Sequence, residues 1–423
     1  MAVSRLIINP AGYSMKISKI ILKGVKNFDD VYYTFEDNWT QTVPDALLLM
    51  GPNGSGKTTL ISTFAGLWDL LGRFLAELSS PAIEIQLAGG LLKGFQNYQL
   101  AAIEIKGFFD EPVWIYVAKN EGLIEVFKDK EQFGGLFSAE QHQSVFKKFI
   151  DDLSERQKKL KEPDVDISAR SSRTASIWDT FNKSDRIPSV MMSYRPADYS
   201  KSNTSHQNSK EAGISLTGRE NLRESFEANR LGSRSDFPNI VFLPSEMRIL
   251  PEPEEKFLAT PEKVVYNWLA EYRPSTRREG SIENYLFTLK ALDEQSYNRI
   301  VGEANKFLQD KAIAGFDPIT RQLMIKTKSG QSHPIYELSS GEKQVLLMLA
   351  FITRELRPGG VVLIDEPDLH LHVSLSTAFV SHLKRMVAEQ NGQLIIASHA
   401  PELWELFPET QKIRLGASEE VLQ

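Results

Sequence analysis

Between an apolar run, Ala46–Met50 (ALLLM), and a stretch whose apolar residues recur every three or four positions, the chain carries Gly51-Pro-Asn-Gly-Ser-Gly-Lys57-Thr58. This fits the phosphate-binding pattern G-x-x-x-x-G-K-[ST] at every fixed position. The pattern constrains the fold because it works only as a turn from a buried strand into a helix, where backbone N–H groups and the positive helix end face an anion. Leu60, Phe64, Leu67, Leu71, Phe74 and Leu78 supply the helical period, so a helix is expected over Lys57–Leu78. The candidate nucleotide-binding residues are therefore Gly51, Asn53, Gly54, Ser55, Gly56, Lys57, Thr58 and Thr59. Lys57 is suited to the β- and γ-phosphates, and Thr58 to a Mg²⁺ ion through its hydroxyl.

Three later segments share the pattern of an apolar run, or a helix start, that ends in chemistry-bearing side chains. Val361–Glu366 (VVLIDE) places Asp365 and Glu366 at a strand end, Asp365 for Mg²⁺ and Glu366 to orient or deprotonate an attacking water. Taken alone, two acids there also suit a solvated strand terminus. Leu338-Ser-Ser-Gly-Glu-Lys343-Gln344 opens a helix that is apolar nearly all round; Ser339, Ser340 and Gly341 offer N–H and hydroxyl donors at its positive end. The same residues make an ordinary capping box, with Ser339 at the N-cap and Glu342 three residues on, and physics alone favours that simpler reading. Leu394–His399 (LIIASH) ends a strand in Ser398 and His399, an imidazole placed to contact a γ-phosphate or to serve only the structure.

Composition narrows the classes. With no cysteine in 423 residues, disulfides, thiolate metal sites and a cysteine nucleophile are excluded. A net charge of −6 argues against a surface that coats nucleic acid and leaves room only for a local basic groove. The pairs Lys147-Lys148 and Lys158-Lys159, and Arg273 with Arg277-Arg278, read as solvated helix faces. No apolar run approaches the roughly 20 residues a membrane span needs, and Met1–Tyr13 lacks the apolar core of a secretory leader, so a cytoplasmic protein without a membrane is expected. From Ile83 to Phe127 short alternating stretches suggest an antiparallel meander. Gln141–Lys161 favours helix, Asp166–Asp236 is Ser-, Asn- and Arg-rich and reads as a mobile insertion, and Asn239–Leu243 is a buried strand. Helix is expected again from Glu262 to Leu308.

The order GPNGSGKT, LSSGEKQ, VVLIDEPDLHLH, SHAPEL resembles the ABC ATPase superfamily, in the branch that holds SMC proteins, RecF and OLD-family ATPases. The resemblance covers the first 80 residues and residues 336–405. It implies an α/β fold: an ATPase head with a mixed sheet, an antiparallel β subdomain and a helical insertion. The expected divisions are an N-terminal lobe over 1–135, an insertion over 136–310 and a C-terminal lobe over 311–423. It further implies ATP and Mg²⁺ as ligands. Ser339, Ser340 and Gly341 become the signature that meets the nucleotide of a second copy, and Glu366 and His399 the catalytic pair. Pro244-Ser-Glu-Met-Arg248 is similar to a PSER segment of this branch, which puts Arg248 near the nucleotide or the dimer seam. Where many members place an Asp after the catalytic Glu, this chain has His372, within Asp368-Leu-His-Leu-His372, a spacing that also suits a metal site.

About 280 residues separate the phosphate loop from the signature, which disfavours a transporter ATPase. No sustained heptads support a long coiled-coil arm. The resemblance then leaves two functions. One is a stand-alone sensor ATPase of the kind in the PARIS, Septu and retron-associated antiphage systems, a homodimer or assembly of dimers that governs a separate toxin or nuclease. The alternative is a RecF-like DNA-binding ATPase of DNA repair. Acidic balance and the absence of effector chemistry favour the first.

Overall fold

Four apolar runs, ALLLM, IVFL, VVLID and QLIIAS, are buried along their whole length. Strands covered on both faces lose the alternation of a half-exposed strand, and this is the signature of a parallel sheet between helices. The computed structural model describes residues 14–37, 40–76, 91, 95, 98–108, 112–118, 190–193, 238–251, 267–275, 281–320 and 322–416. Its strands are β1 Lys16–Val25, β2 Phe28–Thr34, β3 Ala46–Met50, β4 Leu100–Lys106, β5 Val113–Ala118, β6 Val190–Ser193, β7 Ile240–Leu243, β8 Leu269–Glu271, β9 Lys311–Phe316, β10 Leu323–Thr327, β11 Ser332–Pro334, β12 Val361–Asp365, β13 Gln393–Ser398 and β14 Lys412–Arg414. Its helices are α1 Lys57–Ala76, α2 Ile282–Leu292, α3 Glu294–Asn305, α4 Ser340–Glu355, α5 Val373–Ala388 and α6 Pro401–Trp404.

The chain divides into two compact units. One comprises Met1–Lys16, Asp37–Ile61 and Ser235–Gln423; the other comprises Ile17–Glu36 and Ser62–Arg234. In the first, six strands run in the order β14-β3-β13-β12-β7-β8, every neighbouring pair parallel. Alternate residues Ala46, Leu48 and Met50 of β3, Val241 and Leu243 of β7, Val362 and Ile364 of β12, and Leu394 and Ile396 of β13 form one face. That face shares a core with Val345–Ile352 of α4 and with Phe379, Val380 and Leu383 of α5. Beside it, β9, β10 and β11 make a small antiparallel sheet. Glu283 of α2, 2% exposed, ties this sheet down by accepting from Leu323 N–H at 2.6 Å and from the Tyr336 hydroxyl at 2.9 Å.

The second unit contains a five-stranded sheet, β2-β1-β4-β5-β6. β1 and β2, and β4 and β5, pair antiparallel, while β6 joins β5 in parallel. Together the sheets give an α/β fold with parallel and antiparallel pairing.

Two expectations need revision. Strand β8 interrupts the stretch 262–308 expected to be helical: Pro274 stands three residues beyond it and cannot continue a helix, and β8 instead extends the sheet at the edge of β7. Strands β7 and β8 also belong to the large parallel sheet although they fall within 136–310, since the all-apolar IVFL is stable only when both faces are covered. The expected helix over 141–161 and the basic pairs at 147–148, 158–159 and 277–278 lie outside the described residues. So does the stretch 166–236 apart from β6. Among the described residues no helix is long and apolar enough to cross a membrane.

Candidate functional site

β3, β13, β12 and β7 are neighbours, and all four end on the same edge of the sheet. In a parallel α/β sheet that edge, beyond the strand carboxyl ends, is where ligands bind. Four sequence segments far apart in the chain, at 51–59, 245–248, 365–368 and 398–399, are brought there by register alone.

The loop after β3 turns through Gly51 at φ +155°. A Cβ at Gly51 would stand 2.5 Å from the carbonyl oxygen of Leu415, because β14 pairs with β3 and walls this side of the loop. No side chain fits there. Asn53 and Gly54 are exposed on the loop crest, and Ser55 and Gly56 are half-buried below it. Lys57, itself buried, sends its Nζ back to the loop, donating to the carbonyl oxygens of Gly51 at 2.8 Å and Pro52 at 2.9 Å. Thr59 is buried on the far side of the helix start.

Thr58 Oγ1 donates to Asp365 Oδ2 at 2.9 Å, and Ser245 Oγ donates to the same oxygen at 3.0 Å. Asp365 has no exposed surface, and its Oδ1 lacks a hydrogen-bond partner among the described residues. Burial pushes this carboxyl above its ordinary value, and the Glu366 charge adds to the push; Thr58, Ser245 and Arg248 pull it down without cancelling the rise. A buried acceptor left over beside a hydroxyl is a hard-oxygen set that suits Mg²⁺, so the residues fit the ion the sequence implies.

Glu366 has φ +51°, the left-handed region that a non-glycine residue enters only when held. Its N–H donates to the Ala397 carbonyl at 2.7 Å, and its own carbonyl accepts from Arg248 Nη2 at 2.5 Å. The side chain turns toward β13, where Oε1 lies 3.2 Å from His399 Nδ1. His399 is 46% exposed and Glu366 24% exposed, so the pair faces solvent at the sheet edge. Beside them Ser398 Oγ donates to Asp368 Oδ1 at 2.7 Å and accepts from Ala400 N–H at 3.0 Å, pinning the turn after β12 to the end of β13.

Ser339, Ser340 and Gly341 form a separate cluster. Ser339 is the N-cap of α4 in a complete capping box: its Oγ accepts from Glu342 N–H at 3.3 Å, and Glu342 Oε2 accepts from Ser339 N–H at 2.9 Å. Lys311 Nζ reaches the same Glu342 oxygen at 2.8 Å. Ser339 and Ser340 are exposed, and Gly341 lies so close to His370 that a Cβ would meet its carbonyl oxygen at 2.9 Å. The Asp-x-His-x-His segment takes up other tasks: Asp368 holds Ser398, His370 turns the chain at φ +67°, and His372 caps α5 through Ser374 N–H at 3.4 Å. Among the described residues no three acidic or histidine side chains are placed to hold a metal ion.

Arg248 is buried, 2% exposed, between the end of β7 and the turn after β12. Burial brings its guanidinium down to about 10, against the opposing pull of Asp365, Asp368 and Glu366. Sequence reasoning overlooked Ser245 as a partner of Asp365. The available signal was its position directly after the IVFL strand, two residues into the PSER-like segment.

The family described as "AAA domain, putative AbiEii toxin, Type IV TA system" matches residues 47–405. The chain is 26% identical to the Retron Ec83 probable ATPase of Escherichia coli, over 93% of this chain and 70% of that protein. It is 35% identical to the Retron Vc95 probable ATPase of Vibrio cholerae serotype O1 biovar El Tor over 18% of this chain and 17% of that one. Among solved structures, the Smc head domain of Pyrococcus furiosus aligns over 92% of this chain and 91% of that one, at 13% identity and a TM-score of 0.34.

Proposed function

The chain belongs to this AAA family and is an ATPase of the ABC class resembling the retron ATPases, and from that premise we propose that it binds and hydrolyses ATP between two copies of itself and thereby controls a separate effector, a toxin or nuclease, in antiphage defence. One observation carries the chemical part: Lys57, Thr58, Asp365, Glu366 and His399 converge at the carboxyl ends of three adjacent parallel strands. The N–H groups of the 51–58 loop cradle the phosphates, and Lys57 exchanges its contacts to Gly51 and Pro52 for phosphate oxygens. Mg²⁺ held by Thr58 and Asp365 would neutralise charge on the β- and γ-phosphates.

Glu366 orients a water in line with the γ-phosphorus and takes its proton as the bond to the β-phosphate oxygen breaks. His399, on the outer side of that carboxylate, keeps Glu366 aimed and contacts the γ-phosphate. Exposed Ser340 and half-buried Gly341, at the positive end of α4, serve the nucleotide of the second copy, so that hydrolysis waits for closure. Similarity to a retron ATPase along 93% of the chain supports the defence role.

The test uses purified wild type, Glu366→Gln and Lys57→Ala with Mg·ATP. Wild type should release phosphate, Glu366→Gln should retain ATP and associate as dimers, and Lys57→Ala should not bind. Phosphate release by Glu366→Gln at the wild-type rate would sink the assignment. Tagged Glu366→Gln recovered from its host with ATP should bring down a stoichiometric protein from a neighbouring gene. Recovery of DNA with repair proteins instead would favour the RecF-like function.

A further inference from the structure

A buried line of polar contacts runs beneath the site, and none of the four motifs accounts for it. One turn after Ser340, on the same face of α4, Gln344 is 8% exposed and its Nε2 donates to the main-chain carbonyl of Arg248. The next turn brings Met348, whose sulfur lies 3.9 Å from Arg248 Nη1. On the opposite side, Arg248 Nη2 donates to the carbonyl of Glu366 at 2.5 Å. Arg248 is thus held by the signature helix and in turn holds the catalytic turn.

What it holds is the backbone rather than the side chain of Glu366. Because Glu366 sits at φ +51°, its conformation depends on anchors at both ends of the residue, the Ala397 carbonyl for its N–H and Arg248 for its carbonyl. A small rotation of that peptide would swing the carboxylate away from His399. Two atoms of the line are also underused: among the described residues, Arg248 Nε and Gln344 Oε1 are buried without a hydrogen-bond partner. An unpaired buried donor and acceptor on the same pair of residues leave the network free to settle into a second arrangement in which they are satisfied.

We propose that Arg248 is a positioning residue for Glu366 and that Gln344 relays to it the state of the signature helix. The proposal rests on the reading that Glu366 drives hydrolysis across a dimer. There, Ser340 and Gly341 of one copy meet the partner's nucleotide, whereas Glu366 of that copy serves its own. The relay therefore links the two nucleotide sites: engagement of α4 at one sets the carboxylate at the other.

The experiment compares wild type, Glu366→Gln, Arg248→Lys and Gln344→Met in steady-state hydrolysis of Mg·ATP, with fluorescent ATP binding and thermal melting alongside. Gln344→Met keeps the volume and removes only the amide, so it should fold and bind ATP within about twofold of wild type. Its kcat should fall about tenfold or more with KM nearly unchanged, since the buried hydrogen bond to the Arg248 main-chain carbonyl is lost from the line, and its Hill coefficient for ATP should drop toward one. Arg248→Lys should show the same split. Wild-type kcat and Hill coefficient in folded Gln344→Met would overturn the relay. So would a joint loss of melting temperature, ATP binding and kcat, which would mark the contact as structural. A Glu366→Gln protein as active as wild type would bring down the hydrolysis reading itself, and the relay with it.

Discussion

Replacing Asp365 by Asn should stabilise the nucleotide-free protein and yet leave it less stable than wild type once Mg·ATP is added. Asp365 is fully buried; Thr58 and Ser245 share one of its oxygens, and the other has no partner among the described residues. Its raised pKa, caused first by burial, marks the ionised form as the disfavoured one in the fold. An unpartnered buried acceptor costs about 1–3 kcal/mol, more when charged. Asn keeps one acceptor for the two hydroxyls and puts a neutral amide where the lone oxygen stood, so only the charged part of that cost is relieved, about 1 kcal/mol. Arg248 loses one of its three carboxylate neighbours, which offsets part of the gain. The net should raise the melting temperature, by less than the roughly 2–4 °C that a full 1 kcal/mol gives in a domain of roughly 150–250 residues. Mg·ATP acts in the opposite sense: at a hundredfold excess over Kd, a ligand of the folded state adds about 2.7 kcal/mol, or roughly 5–10 °C. The neutral Asn forfeits most of that. Thermal melting of both proteins, with and without Mg·ATP, should therefore show the order reversing. Melting of Asp365→Asn below wild type without nucleotide would refute the argument from the orphaned oxygen, and equal gains from Mg·ATP would refute Asp365 as the ion's ligand.

Five further substitutions test the frame around the site. Ser339→Ala removes the cap of α4 and should cost about 1 kcal/mol in urea unfolding. Its partner Glu342 should make part of this stability pH-dependent. Burial pushes the Glu342 carboxyl up, but Lys311 and the Ser339 N–H and hydroxyl together outweigh it and leave it below the ordinary 4.5. Since the folded value is the lower one, the contribution of Glu342 is complete above the unfolded value and disappears as pH falls through the folded one; the stability gap between wild type and Glu342→Gln should close in acid. Asn239→Ala strips partners from the Glu355 and Asn267 carbonyls, at 2.9 and 3.3 Å, and from Arg357 N–H at 3.0 Å; the loss should be roughly 2–4 kcal/mol, read as a lower urea midpoint. Gly341→Ala sets a methyl 2.9 Å from the His370 carbonyl and should lower stability by about 1–3 kcal/mol, whereas Ser340→Ala, at an exposed position, should change it by no more than about 0.5 kcal/mol.

Where the sequence was legible, the reason is local. The expected helix over Lys57–Leu78 is α1, Lys57–Ala76, and Ala46–Met50 and Asn239–Leu243 contain β3 and β7, because the apolar period and the glycine turn are written in consecutive residues. The capping box at Ser339 was readable for the same reason: both of its hydrogen bonds span three residues. Strand β8 was read as helix because three residues beside a Pro carry too little period to announce themselves. Arg248 could be placed only near the nucleotide or the dimer seam, with a plain surface position also open. Nothing in Pro244-Ser-Glu-Met-Arg248 says that the guanidinium is buried against a peptide 118 residues further on.

By itself the sequence determined which segments become buried strands, where the glycine loop turns into a helix, and which side chains stand at the strand ends. Apolar periodicity and backbone conformational preference act within a few residues, so a linear reading can recover them. Only the tertiary structure decided that Thr58 and Ser245 share one oxygen of Asp365, that Glu366 takes a left-handed turn between Ala397 and Arg248, and that Gln344 of α4 reaches the residue holding that turn. These contacts follow from the parallel order β3-β13-β12-β7, which sets strands distant in sequence side by side and brings their carboxyl ends to one edge.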